Sequence, residues 1–162
     1  MNLPTPDRAH DKVPPNAPVL LYDGECGVCA ASVQWVLRHE HSTELRFAAL
    51  QSEVGRHLLS EAGIDSSVDS LVWIEPSPRG LLGRVYSGAV LSTLRYVGGP
   101  WRIAFAALWL VPKPLRDWGY RRFASMRKLV LPSHCLLPTP AQRARFLKSA
   151  YSAGETATLD SP

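Results

Sequence analysis

Two cysteines separated by two residues, Cys26 and Cys29, are the part of this 162-residue chain with the clearest chemistry. They follow the short apolar run 19–21, so the pair lies where a predicted strand gives way to a helix. Thiols at this spacing can close a disulfide across one helical turn. Because the positive end of the helix dipole favours a thiolate, Cys26 is predicted to attack and Cys29 to resolve a mixed disulfide.

The same cysteines also allow a metal site. Together with His134 and Cys135 they offer four zinc ligands of the right types. Adjacent residues rarely both reach one tetrahedral ion, however, and no second Cys-x-x-Cys or His-x-x-x-His is present. The spacing is also compatible with two purely structural cysteines, or with a module that binds partners without turnover. We favour dithiol redox chemistry because the pair lies between a strand and a helix.

Asp23 lies in the turn before the dithiol and has two candidate roles. Its carboxylate can brace the turn or cap the helix, as an Asp-Gly sequence favours. Alternatively, it can take the proton of Cys29 while the mixed disulfide is resolved. We favour the structural role and keep the catalytic one as a hypothesis.

Charge is divided unevenly along the chain. Residues 1–90 contain seven Lys or Arg and eleven Asp or Glu, a net charge of −4, whereas residues 91–162 contain eleven and three, a net charge of +8. A solvated helical surface is the favoured interpretation, and a weak contact of the basic half with an anionic surface is the alternative. No motif indicates specific nucleic-acid binding, and no P-loop or dinucleotide fingerprint is present.

The cysteine count and the N-terminal composition bear on the cellular compartment. Three cysteines are too few, and too odd in number, for a secreted disulfide scaffold. Residues 1–18 are polar and proline-rich, without the apolar stretch of a signal peptide. The most apolar segment, 103–111, is too short to span a bilayer. We therefore expect a cytoplasmic protein.

The chain is predicted to form one domain, residues 17–151, between a flexible leader, 1–16, and a disordered tail, 152–162. Strands are predicted at 17–22, 44–48, 71–74 and 81–86. Helices are predicted at 30–38, 52–62, 87–97, 101–111, 115–129 and 139–151. This β-α-β-α-β-β-α order with extra C-terminal helices is typical of an α/β, thioredoxin-like fold. Its right-handed βαβ unit brings the dithiol to the carboxyl end of the first strand.

Two features of the predicted helices have alternatives. Ser87 is interpreted as an N-cap, and the alternative is that it lines a substrate groove beside the dithiol. Trp101, Trp109 and Trp118, with the apolar run 103–110, are interpreted as a helical lid packed on the sheet. A face for a membrane surface is the alternative, because basic residues follow directly.

Residues 22–29, Tyr-Asp-Gly-Glu-Cys-Gly-Val-Cys, contain an Asp-x-x-Cys-x-x-Cys motif. Through it the chain resembles the DCC family of predicted thiol–disulfide oxidoreductases. The resemblance covers roughly residues 18–138 and extends to 46–52, 69–72, 85–89, 120–128 and Cys135. It implies a thioredoxin-like fold and thiol–disulfide exchange with an unidentified protein or small-molecule partner. No bound organic cofactor is implied, although a reductant must recycle the pair.

One departure from ordinary thioredoxins concerns the substrate groove. Thioredoxins carry a cis-proline just before the third strand, facing the disulfide. Here no proline lies between Pro18 and Pro76, and residues 68–70 occupy that place. Substrate handling is therefore expected to differ from that of thioredoxin. The predicted groove residues are Tyr22, Gly24, Glu25, Gly27, Val28, Asp69, Ser70 and Ser87.

Overall fold

A computed structural model of the chain describes residues 16–130 and 139–147. The predicted tail, nearly all of the predicted leader, His134 and Cys135 lie outside these ranges. The elements are β1 (Val19–Tyr22), α1 (Gly27–His39), β2 (Arg46–Ala49), α2 (Glu53–Glu61), β3 (Val72–Ser77), β4 (Gly80–Val85), α3 (Ser87–Val97), α4 (Trp101–Leu110), α5 (Lys113–Val130) and α6 (Pro140–Arg143). Their order confirms the predicted α/β, thioredoxin-like class.

The four strands form one mixed sheet in the order β2-β1-β3-β4. β1 and β2 are parallel, with Tyr22 opposite Ala49, as the βαβ crossover predicts. β3 is antiparallel to β1, with Leu21 opposite Val72, and β3 and β4 form the predicted hairpin. The carboxyl ends of β1, β2 and β4 and the amino end of β3 therefore lie at the same edge of the sheet.

Alternate residues of β1 face two different cores. Leu20 and Tyr22 face a core shared with α1 and α3, which also contains both cysteines of the motif. Val19 and Leu21 face the opposite core, which α2 covers with Leu58 and Leu59. The dithiol therefore belongs to the helical layer on one face of the sheet. α5 contacts α1 and α3 on that same side.

The last predicted helix, 139–151, is wrong in its length. Thr139 caps it and Pro140 begins it as predicted, but α6 ends at Arg143. Phe146 then forms a parallel bridge with Phe47 of β2, and their rings stack with centroids 5.1 Å apart. Backbone pairing and ring stacking against the sheet edge replace the helical continuation that local sequence favours.

The predicted packing of α4 on the sheet is wrong. α4 has no buried residue and packs against α3, and Ile103 and Leu110 are 76% and 80% exposed. Trp101 alone of the three tryptophans is half-buried, edge-on to Trp35 at 4.7 Å between ring centroids. The sheet face is already filled by α1 and α3, so the apolar surface of α4 is left outward.

No helix among residues 16–130 and 139–147 is long and apolar enough to cross a membrane.

Candidate dithiol site

The carboxyl end of β1 gathers residues from every strand of the sheet. Because β2 is parallel to β1, Gln51 follows it at the same end. Because β3 is antiparallel, residues 69–71, which precede it, lie there too. The end of β4 leads into Ser87 at the start of α3. Segments 22–29, 69–71 and Ser87, distant in sequence, therefore converge at one end of the sheet.

Cys26 and Cys29 occupy the first turn of α1 and its cap. Cys26 is the N-cap residue, with extended backbone dihedrals, and its carbonyl accepts the first helical hydrogen bond from Ala30 N–H at 3.0 Å. Cys29 lies one turn further on. Both are buried, but Cys26 is 6% exposed and Cys29 2%. Cys26, the residue predicted to attack, is thus slightly the more exposed of the two.

Asp23 braces the turn that leads to Cys26. Its Oδ1 accepts hydrogen bonds from Glu25 N–H at 3.0 Å and from the Gln51 side-chain amide at 2.7 Å. Its carbonyl accepts a bond from Cys26 N–H at 3.2 Å. These bonds form an Asx-type turn directly before Cys26, the geometry expected of the favoured structural role, which stays a prediction.

Gln51 completes this turn and was not predicted as a site residue. Its Nε2 donates to Asp23, and its Oε1 accepts a hydrogen bond from Gly24 N–H at 3.2 Å. One side-chain amide therefore binds the loop at two residues. The signal that could have found it is its position directly after the strand that pairs in parallel with β1. Parallel neighbours deliver their following residues to the same edge, where sites of α/β proteins form.

The remaining predicted groove residues differ in exposure. Gly24, Glu25 and Asp69 are exposed and Val28 is half-buried. Tyr22, Gly27, Ser70 and Ser87 are buried. Residues 68–70 enter β3 through trans peptide bonds, since no peptide bond in the described parts of the chain is cis. Of the predicted groove residues, only Gly24, Glu25, Val28 and Asp69 therefore offer appreciable side-chain or backbone surface to solvent.

A cavity of about 170 Å³ opens beside Cys29. Its walls are mostly apolar and include Val28, Leu71 and Val90, and α5 contributes Tyr120 and Phe123. α5 therefore covers the space beside Cys29. Sequence reasoning assigned no site role to Tyr120 or Phe123, because only tertiary packing brings α5 over α1.

A partly buried polar network connects α5 to the start of α3. Ser87 donates a hydrogen bond to Asp117 Oδ1 and accepts one from Arg116 Nε at 2.9 Å, and Lys113 Nζ lies 2.9 Å from Asp117 Oδ2. The predicted N-cap role of Ser87 is wrong. Tyr86 is the N-cap residue of α3, and the Ser87 hydroxyl is directed to α5 instead.

Burial by itself raises the pKa of the Asp117 carboxyl. Hydrogen bonds from Lys113 and Ser87, together with the Lys113 charge, outweigh burial and hold this pKa below its ordinary value of 3.8. A carboxyl whose pKa is lower in the folded state stabilises the fold fully above its unfolded pKa. That stabilisation is lost as the pH falls through the folded pKa.

Asp117→Asn should lower the free energy of unfolding at neutral pH by about 1–3 kcal/mol, because a charged, nearly buried acceptor is lost. The difference in the free energy of unfolding between the variant and the unmodified chain should become smaller as the pH falls below 3.8. Urea unfolding at neutral pH and in acid measures it, with exposed Glu44→Gln as the control. A difference that stays constant in acid would contradict this assignment.

Asp23→Ala should lower the free energy of unfolding by about 1–2 kcal/mol, because two turn hydrogen bonds are lost. Asp23→Asn keeps an oxygen acceptor, so it should lower the free energy of unfolding by less than half as much as Asp23→Ala. Neither variant should slow resolution of a mixed disulfide by more than about tenfold. Urea unfolding and rapid-mixing kinetics measure the two effects. If Asp23→Asn slows resolution further at unchanged stability, the carboxylate is the base for Cys29.

The described residues contain no group of three or more His, Cys, Asp or Glu side chains arranged to hold a metal ion. His134 and Cys135, the remaining members of the predicted zinc set, lie outside the described ranges.

The fold and the buried dithiol at a helix start define a thioredoxin-like oxidoreductase. The family model of DCC1-like thiol-disulfide oxidoreductases matches residues 20–131, which include the sheet, the dithiol and α5. The chain therefore belongs to this family, and the resemblance carried by the 22–29 motif is confirmed.

Two relatives support the assignment. The uncharacterized protein YuxK of Bacillus subtilis is 37% identical over 134 residues, 80% of this chain and 93% of that protein. A chloroplastic DCC family protein of Arabidopsis thaliana is 32% identical over 111 residues, 68% of this chain and 62% of that protein. No solved structure matches the chain.

Proposed function

We propose that the protein catalyses thiol–disulfide exchange, with Cys26 as the nucleophile and Cys29 as the resolving thiol. The observation that carries this proposal is the position of Cys26 as N-cap residue of α1, with Cys29 one turn away. The helix dipole stabilises negative charge at that position. Membership of an oxidoreductase family supports the same chemistry.

The exchange proceeds in two balanced steps. The Cys26 thiolate attacks one sulfur of a partner disulfide, forming a Cys26–partner disulfide and releasing the other partner sulfur as a thiolate. The Cys29 thiolate then attacks the Cys26 sulfur and releases the second partner thiol. Two electrons pass to the partner, and the protein is left with a Cys26–Cys29 disulfide. A cellular dithiol reductant must then reduce this disulfide, and the reverse sequence would oxidise a partner.

The proposed partner is a thiol or disulfide on a protein or a small molecule, and it approaches over the 24–28 turn. Exposed Gly24 and Glu25 and half-buried Val28 surround the approach to Cys26. We place this activity in the reducing cytoplasm, where a Cys-x-x-Cys pair is typical of catalysis rather than of a permanent crosslink.

Equilibration in dithiothreitol or glutathione redox buffers, followed by alkylation and peptide mass mapping, tests this proposal. A Cys26–Cys29 disulfide should form and disappear reversibly with the buffer potential, and its midpoint gives the direction of electron flow. The Cys135→Ser background serves as control, because it removes the third cysteine of the chain. Failure of Cys26 and Cys29 to pair reversibly at any buffer potential would refute the proposal.

A further inference from the structure

Exposed large hydrophobic side chains are concentrated on α4 and α5. Among the described residues all but one, Leu82, belong to these two helices. They are Ile103, Trp109, Leu110, Leu115, Trp118, Phe123 and Met126, each at least half exposed. We call this set, with the turn that joins the two helices, the α4–α5 apolar surface. A concentration of exposed apolar side chains of this kind indicates an interaction site.

The hydrophobic residues are densest around the turn between the helices. Trp109 and Leu110 end α4, and Leu115 and Trp118 lie in the first two turns of α5. α4 packs against α3 and leaves Ile103 and Leu110, seven residues apart on one helical stripe, in solvent. The fold therefore leaves at least half of each of these side chains in solvent.

Exposed positive charge is concentrated on the same two helices. Arg102, Lys113, Arg121 and Arg122 are exposed. Residues 101–126 contain five Arg or Lys and one acidic residue, Asp117, a net charge of +4. Asp117 is buried and bonded to Ser87 and Lys113, so it offers no exposed carboxylate there. The exposed charges of the surface are thus of one sign.

We propose that the α4–α5 apolar surface binds peripherally to an anionic lipid bilayer. Tryptophan and leucine enter the boundary between headgroups and acyl chains, while Arg and Lys pair with anionic headgroups. Neither helix is long and apolar enough to cross the membrane, so both lie along it. A second copy of the chain is a poorer occupant, because a symmetric contact would bring the same cations face to face.

Vesicle flotation of the full chain tests this proposal. The protein should float with vesicles containing phosphatidylglycerol, bind pure phosphatidylcholine far more weakly, and dissociate as salt is raised. Trp109→Ala with Trp118→Ala should lower the partition coefficient by at least about tenfold. Leu82→Ala is the matched control, since Leu82 is exposed but lies on β4.

Charge is tested separately. Arg121→Gln with Arg122→Gln should lower binding to anionic vesicles by about tenfold. The control pair Arg38→Gln with Arg79→Gln removes two exposed charges elsewhere and should leave binding unchanged. Melting curves of all variants show whether each remains folded. Cys26→Ser should bind vesicles normally, so a failure of the redox proposal leaves this test intact.

Three outcomes would overturn the proposal. One is the absence of binding to anionic vesicles. Another is binding that the tryptophan variant and the control retain equally. In the third, the chain does not bind vesicles but associates with itself or with another protein, and the tryptophan variant abolishes that association. This result would assign the surface to a protein partner.

Discussion

Replacing Cys26 with serine should abolish thiol–disulfide exchange, whereas replacing Cys29 with serine should leave the first step intact and stop the second. Cys26→Ser should lower the rate of attack on a peptide disulfide by at least about 10³-fold, because a hydroxyl is a much weaker nucleophile than a thiolate. Cys29→Ser should accumulate a mixed disulfide with the peptide on Cys26. Mass spectrometry of the trapped species and rapid-mixing kinetics measure these effects.

The structure makes the two replacements a matched pair. Both cysteines lie in one helical turn and both are buried, so their serine variants carry a similar cost in packing. All variants should carry Cys135→Ser, so that no third thiol substitutes. Trapping on Cys29 in the Cys26→Ser variant would reverse the assigned roles. Trapping on neither cysteine would leave the pair without a role in exchange.

Arg145→Leu should lower the free energy of unfolding by about 3–5 kcal/mol, because it leaves the Glu40 carboxylate buried without its counter-ion. The Glu40 and Arg145 side chains are only 5% and 10% exposed. Arg145 binds both carboxylate oxygens of Glu40 and donates to the Leu45 carbonyl from Nε at 3.0 Å and Nη2 at 2.8 Å. Urea unfolding measures the loss.

Two further variants isolate the buried pair. Arg79→Leu replaces an exposed arginine in the turn between β3 and β4 and should change stability by less than about 0.5 kcal/mol. Glu40→Leu combined with Arg145→Leu should recover much of the loss, because no unpaired charge remains. If Arg145→Leu costs no more than Arg79→Leu, the ion pair does not hold residues 144–147 against the sheet.

The sequence predicted the secondary structure around the dithiol well, because the signal there is local. The strand, the Asp-Gly turn and the cysteines of residues 19–29 are consecutive, and their apolar and turn patterns specify a strand–turn–helix unit. The element order also follows from local periodicity. These features allowed the thioredoxin-like class to be predicted, and the family match confirms it. The role of the dithiol stays a prediction.

The predictions from sequence were wrong where a side chain had more than one possible partner. Ser87 is a good N-cap by type, but its hydroxyl binds Asp117, thirty residues later. The 139–151 segment has the pattern of a helix, but pairing of Phe146 with Phe47 ends the helix early. In each case a distant group competes with a local one, and sequence alone does not show that group's position.

By itself, the sequence determined the dithiol, its placement at a helix start and the order of strands and helices, because these depend on residues close together in the chain. Only the tertiary structure decided that Gln51 joins the Asp23 turn, that α5 covers Cys29 and that α4 turns its apolar residues outward. Hydrophobicity predicts that burying an apolar side chain lowers the free energy, but it does not predict which surface buries that side chain. That choice depends on how much of the sheet α1 and α3 have already filled.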